Sequence, residues 1–415
     1  MTPPRFARNL SAVLLWELFW GFGNACTSSA IFVPFLSRLS GSKRLVGTVG
    51  LTMLLGIPAL VVSLWLAHRL RRRRLVVALL WAAQVVGWIV LGAVLRTDAP
   101  PTSSIVSVVY ASQSVFAFLA GVSMAPTYQL LTGVFGDRFG TAQGLQMLVR
   151  QISGVAGGLW AATALAGGDF PKNFGLTFLV GGVLLTGSNV AILFFVEPPS
   201  PEDARPRAPF LPEFARTLRE ARPVASLAWV VACAAFLVSA EALFVVSALE
   251  RLGLGDACAG VFASVTLAAS GVGGALAGWI GDRVGHARAL LVSLAIQVVA
   301  FVLVLRLGGL AQFYVALSLA GFASAAMQIG LAGLTARLAP PGAEGAWMAI
   351  MRWLTQLVSA LATAAAAFLA DRVGYTILFA VCIAPVVAAM LAARGVVGRE
   401  RLAGGEAPLA ASVGM

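Results

Sequence analysis

Gly278-Trp279-Ile280-Gly281-Asp282-Arg283-Val284-Gly285-His286-Ala287-Arg288 is a short loop joining two apolar runs, 258–280 and 288–306. It gathers an acid, two arginines, a histidine and three glycines into eleven residues, while the runs on either side carry almost no charge. Each run has the ~20 apolar residues an α-helix needs to cross a bilayer. The loop therefore reads as a turn at a membrane surface between two spanning helices. The same pattern continues outward in both directions. Ten more apolar stretches lie at about 11–36, 45–67, 75–95, 104–133, 142–166, 174–196, 224–249, 311–338, 344–370 and 374–394.

The whole chain agrees with this reading. Of its 415 residues 59% are hydrophobic and 11% charged, and its mean hydropathy is +0.90. Soluble domains are about a quarter charged, so this chain lacks the polar matter to coat a water-facing globule. The expected fold is an all-α integral membrane protein with twelve transmembrane helices in two six-helix, pseudo-symmetric bundles. Glu197-Pro198-Pro199-Ser200-Pro201-Glu202-Asp203 marks the divide. It gives an N-terminal bundle over 1–196, a cytoplasmic linker over 197–223, a C-terminal bundle over 224–394 and a cytoplasmic tail over 395–415. Within the linker Phe210, Phe214 and Leu218 fall four apart with charges off that line, the pattern of an amphipathic helix on the membrane surface. A plain linker is the alternative. Arg5 and Arg8 precede a run reaching Cys26 that is too long for a signal core and carries Glu17, so it is read as the first span.

The excess of basic residues, 29 Lys+Arg against 17 Asp+Glu, is topogenic and no sign of nucleic acid. With both termini in the cytoplasm of a cell (inner) membrane, nineteen basic residues fall in inner loops, among them Arg69 and Arg71 to Arg74. Eight fall outside: Arg38, Lys43, Arg44, Arg96, Lys172, Arg251, Arg306 and Arg372. That asymmetry gives one orientation by the positive-inside rule. Cys26, Cys233, Cys258 and Cys382 have no metal-ligand spacing. There is no nucleophile–base arrangement and no phosphate loop, so no enzyme, cofactor or metal is expected.

The halves repeat. A shift of 214 residues lays Trp65 on Trp279, Arg69 on Arg283 and Arg74 on Arg288; a shift of 201 lays Gly144 on Gly345, Met147 on Met348 and Phe178 on Phe379. Two such halves related about the membrane normal are the plan of a rocking secondary transporter with its substrate site between them.

The loop at 278–288 resembles the signature loop of the major facilitator superfamily, Gly-x-x-x-Asp-Arg-x-Gly-x-x-Arg. The resemblance implies a gating latch built from Gly278, Asp282, Arg283, Gly285 and Arg288, in which Gly278 lets helices approach and Asp282 caps a helix or pairs with an Arg. The first-half copy, Leu64-Trp65-Leu66-Ala67-His68-Arg69-Leu70-Arg71, lacks the glycines and has His68 at the acid's place. Phe368-Leu369-Ala370-Asp371-Arg372-Val373-Gly374-Tyr375 is similar in style. The superfamily's drug/proton antiporters carry Gly-Pro-x-x-Gly-Gly in the fifth span, where this chain has Ser153-Gly154-Val155-Ala156-Gly157-Gly158, with glycines and no proline.

Four ionisable residues fall inside spans, where each costs several kcal/mol unless paired or facing a cavity. By helical rise Glu17 and Arg150 lie at similar depth, ~10 and ~12 Å from the inner side, and suit a pair. Glu241 and Arg352 are separated by ~13 Å along the normal. Glu241, then Glu17, are the candidates for proton coupling, because a carboxyl in an apolar cavity can load and unload a proton as access alternates. A Glu held by neighbouring hydroxyls is the plainer alternative. Arg150 and Arg352, with Asn24, Gln113 and Gln328, are candidates for a substrate or ion-pair site. Trp16, Phe19, Trp20, Phe22, Phe116, Met124, Phe236, Phe244 and Met327 are expected to complete an apolar wall or to pack as core. These readings lead to a monomeric, proton-coupled efflux transporter of small amphipathic organic molecules. Proton-coupled import of a small organic anion, and a non-transporting assembly factor or sensor, are the alternatives.

Overall fold

In the computed structural model the described residues are 3–70, 73–98, 100–135, 139–197, 225–338 and 344–410. Among them every regular element is helical. The helices make twelve membrane crossings in two bundles of six.

The first crossing is broken. Helix Pro3–Cys26 ends where Thr27 and Ser28 turn their hydroxyls back onto the carbonyls of Gly23 and Ala25, and Ser29–Ser40 completes the span. The second is segmented too: Arg44–Gly50, a 3-10 stretch Leu51–Leu55, then Gly56–Arg69. The loosening has a cause in Pro58, whose ring lacks an N–H and crowds the carbonyl of Leu54. Arg73–Leu95, Thr102–Phe135 and Phe139–Ala166 are the third to fifth spans. The sixth is Lys172–Ser188 with a 3-10 end, Asn189–Phe194. Ala225–Leu252, Ala257–Val284, His286–Leu305 and Leu310–Leu338 are the seventh to tenth. The last two share one long helix, Glu344–Ala410, interrupted at Gly374, where φ is 81°. Helix thus continues through residues 395–410, the stretch expected as a tail. The amphipathic Phe210–Leu218 stretch lies outside the described residues.

In the first bundle the first span packs on the fifth and sixth, and the third on the fourth and sixth. The second bundle repeats this: the ninth span packs on the tenth and twelfth. Aromatic side chains make the repeat visible. Phe32, Trp88 and Phe178, from spans one, three and six, meet with ring centroids 5.0, 5.3 and 6.0 Å apart. Phe244, Phe301 and Phe379, from spans seven, nine and twelve, meet at 4.8, 4.9 and 6.0 Å. Edge-to-face rings at these spacings add attraction beyond the area they bury.

Glu197 ties the end of the first bundle back on itself. Its carboxylate accepts from the backbone N–H groups of Arg73 and Arg74 at the start of the third span, at 3.2 and 2.5 Å. An anion there meets both orphan donors and the positive end of the helix dipole.

Candidate functional site

The fifth span has two working faces. Toward the eighth span, Gln151 lies against Gly271, Gly154 against Leu267 and Gly158 against Gly260. Toward the first span, Arg150 lies against Gly21 and Gly157 against Phe22. A Cβ on Gly157 would fall 2.5 Å from the Phe22 carbonyl oxygen, and one on Gly158 would fall 2.3 Å from Ser264 Oγ. The glycines of 153–158 therefore serve two separate contacts: Gly157 joins spans within the first bundle, and Gly158 joins the two bundles.

On the first of these faces Glu17 meets Arg150. The guanidinium grips the carboxylate through both Nε and Nη2, the latter at 2.6 Å, and Gln146, one turn earlier, also donates to Glu17 Oε1. Glu17 is fully buried while 36% of the Arg150 side chain is exposed. The pair is thus a buried acid covered by a cation that still presents a free edge. Ser153 Oγ bridges the same helices by donating to the Glu17 carbonyl oxygen. Asn24 lies seven residues, about two turns, beyond Glu17 on the same helical face, and it is exposed.

Glu241 stands in the second bundle without such a lock. It is half-buried, and Gln297 Nε2 of the ninth span donates to its Oε2 at 3.2 Å. No salt bridge reaches it among the described residues. The Arg352 side chain lies outside the described residues. Gln113 is buried and Gln328 exposed. Trp16, Trp20, Phe244 and Met327 are buried, with Trp16 and Trp20 stacked edge-on against Trp81 and Phe244 inside its triad. Phe19 is exposed, and Phe22, Phe116, Met124 and Phe236 are half-buried.

The loop at 278–288 differs in one respect from expectation. A Cβ on Gly278 would sit an ordinary 3.9 Å from Ile329, so this glycine does not set a close approach. Gly281 does, because a Cβ there would lie 2.3 Å from the His286 ring, which is wedged between Gly281 and Gly333 of the tenth span. Gly285 has φ 103° and makes the turn between helices, a conformation that costs glycine least. Arg283 stacks on Trp279, one helical turn before it, at 4.1 Å. Arg69 stacks likewise on Trp65 at 5.5 Å in the first-half copy. The side chains of Asp282 and His68 lie outside the described residues.

At the opposite face of the membrane, away from the N terminus, three ion pairs join the halves. Arg38 pairs with Asp256, Lys43 with Glu250 at 3.3 Å, and Arg44 with Asp371 at 2.8 Å. Lys43 also lies over the Tyr375 ring at 4.7 Å. Beneath them Gly47 and Gly50 of the second span rest on Ala364, Ala367 and Thr363 of the eleventh. The molecule is closed on this face.

The family model of the Major Facilitator Superfamily matches residues 242–411. The chain resembles this superfamily over that stretch, which is less than half of its length. Its fold is shared with the nucleoside transporter NupG, at TM-score 0.71 and 12% identity, over 94% of this chain and 99% of that one. The xylose transporter XylE from E. coli gives 0.69 and 13%, over 94% and 97%. The human organic anion transporter MFSD10 gives 0.66 and 15%, over 95% and 100%. No curated protein matches the sequence.

The fold is thus one that solved transporters share. For such a protein the far-face ion pairs matter, and the sequence had flagged their basic members only as a minority of outer charges. Gln146 and Gln297 were not singled out at all. Their signal was available, since a buried amide two to four residues' reach from a buried acid on a neighbouring span is costly unless it is used.

Proposed function

We propose that the chain is a proton-coupled exporter of small amphipathic organic molecules, with Glu241 as the proton-carrying group. The observation behind this is the contrast between the two acids that lie within spans. Glu17 is held by Arg150 and Gln146, and taking up a proton there would abandon a two-pronged ion pair. Among the described residues Glu241 has one amide donor, and with that partner alone it can gain or lose a proton without breaking such a pair. Export is favoured by the walls, because exposed or half-buried Phe19, Phe22, Phe116, Met124 and Phe236 suit a lipophilic guest. A lipophilic molecule crosses inward unaided, so useful work on it is expulsion. Both termini in the cytoplasm, a bilayer of the cell membrane and a monomeric state complete the reading.

The test is pH-gradient-driven movement of an amphipathic dye such as ethidium into inverted vesicles and across proteoliposome membranes. Glu241→Gln is expected to abolish gradient-driven movement while dye exchange without a gradient persists. Undiminished gradient-driven movement would remove Glu241 from the role.

A second reading has its own observation. Arg150 keeps an exposed edge beside its contact with Glu17, and guanidinium edges suit carboxylates. An organic anion there would compete with Glu17 for Arg150, and the human structural relative MFSD10 is described as an organic anion transporter. Saturable uptake of a labelled monocarboxylate, lost in Arg150→Lys, would favour this reading over export.

A further inference from the structure

The duplicated framework places a buried amide at one position in each half. The shift of 213 residues that carries Trp88 onto Phe301 also carries Gln84 onto Gln297, one turn earlier on the third and ninth spans. Both are buried, and in both the amide oxygen Oε1 has no hydrogen-bond partner among the described residues. The partner across the bundle differs. Phe32 and Phe244 correspond at a shift of 212, so Glu241 corresponds to Ser29. The repeat therefore holds an amide in both halves and an acid facing it in only one.

The unpartnered oxygen is informative because of where it sits. Gln297 is 1% exposed and its Nε2 already donates to Glu241 Oε2. With Glu241 ionised, Gln297 Oε1 is a buried acceptor beside another acceptor, which leaves a polar group unpaid in an apolar bundle. With a proton on Glu241 Oε1, that O–H donates to Gln297 Oε1 while Nε2–H continues to donate to Oε2. An eight-membered acid–amide ring closes, and every polar atom of both side chains is satisfied. No side chain has to change partners.

Among the described side chains, no charged or titratable group on the elements packed against the seventh span forms a hydrogen bond or ion pair with Glu241 or Gln297, other than the bond between those two. Asp256, Glu250 and Asp371 are engaged by Arg38, Lys43 and Arg44 at the far face, where Tyr375 and Arg372 also lie. Arg251 donates to the Val304 carbonyl oxygen, and Arg306 and His286 stand at the two ends of the ninth span. Cys382 is a buried thiol on the twelfth. On the tenth, Tyr314 stacks on Phe262 near one end and Arg337 stands in the last turn. On the eighth, Cys258 begins the helix, and Asp282 and Arg283 end it. The first span contributes the buried Cys26. Arg352 lies on the eleventh span.

We infer that Gln297 is the positioning residue for the proton on Glu241, holding the neutral carboxyl in a cyclic acid–amide pair. The inference rests on the role proposed for Glu241 and can fail separately from it. Infrared difference spectra of the purified full chain in liposomes, taken across a pH step, read the carboxyl C=O stretch directly. A band lost in Glu241→Gln identifies the protonated acid. In Gln297→Met, which is close in size, that band is expected at higher wavenumber, as for an acid without a strong partner, and gradient-driven transport is expected to move along the pH axis. Gln297→Glu offers an acceptor again and is expected to return the band toward its original position. If Gln297→Met does not fold, Gln297→Asn withdraws the amide by one methylene and is expected to give the same displacement. A band that stays in place in the folded variant overturns the inference and leaves the role of Glu241 standing. Absence of any band sensitive to Glu241→Gln overturns both.

Discussion

Arg44 Nε donates to Asp371 Oδ2 at 2.8 Å, joining the start of the second span to the end of the eleventh. The contact crosses the boundary between the halves, as do Lys43–Glu250 and Arg38–Asp256. The proposed transport cycle requires all three to part. The following outcomes are expected.

Asp371→Arg replaces an attraction by a repulsion and is expected to open the far face. Exposed pairs each contribute up to about 1 kcal/mol, so loss of this one is expected to lower the closed-to-open ratio by up to about fivefold. Arg44→Asp with Asp371→Arg restores opposite charges and is expected to recover closure. Distances between spin labels in the 41–43 and 306–309 loops report both results. A double variant as open as the single one would exclude direct pairing.

Ionic strength acts on the same contacts without mutation. The screening length falls from about 30 Å at 0.01 M to about 3 Å at 1 M. Raising salt is therefore expected to lengthen the label distances in the native chain, and to lengthen them less in the Asp371→Arg variant, which keeps two of the three pairs and carries a repulsion that salt also screens.

Glu17→Ala strands Arg150 in the bundle. Breaking one side of a buried ion pair costs about 3–5 kcal/mol, reduced here because part of the Arg150 side chain is exposed. Thermal unfolding in detergent is expected to show a marked loss for this variant. Removing both partners together, as Glu17→Gln with Arg150→Met, is expected to cost less than Glu17→Ala alone.

Gly158→Leu puts a side chain where only hydrogen fits, since a Cβ there already lies 2.9 Å from the Gly260 carbonyl oxygen. The variant is expected to fold but to hold the far face apart, with transport lost and label distances long. Gly278→Ala, whose Cβ meets Ile329 at an ordinary 3.9 Å, is expected to change neither.

Much of this was legible in the sequence because hydrocarbon is an exacting solvent. Twelve apolar runs, the charge asymmetry of the loops and the loop at 278–288 give the fold without any distance. The Glu17–Arg150 pair was legible too, since rise per residue fixes depth along the normal. What rise cannot give is azimuth, the direction in which a helix turns each side chain. Hence Phe244 and Met327, which could have lined the wall or packed as core, are packed inside the second bundle, and the amide N–H groups that Gln146 and Gln297 turn toward Glu17 and Glu241 went unseen. Gly278 misled for a related reason: a glycine in a motif marks permission for close approach, and the structure puts that approach at Gly281.

The far-face contacts share a polarity. All three cations belong to the first half and all three acids to the second. At the 212-residue shift relating Phe32 to Phe244, Arg38 even corresponds to Glu250, so equivalent positions bear opposite signs. Two copies of the first half would set Arg38 against Arg44, and Lys43 against Arg38, at the places of two of these pairs. The closure is therefore made by what differs between the halves and not by what they repeat.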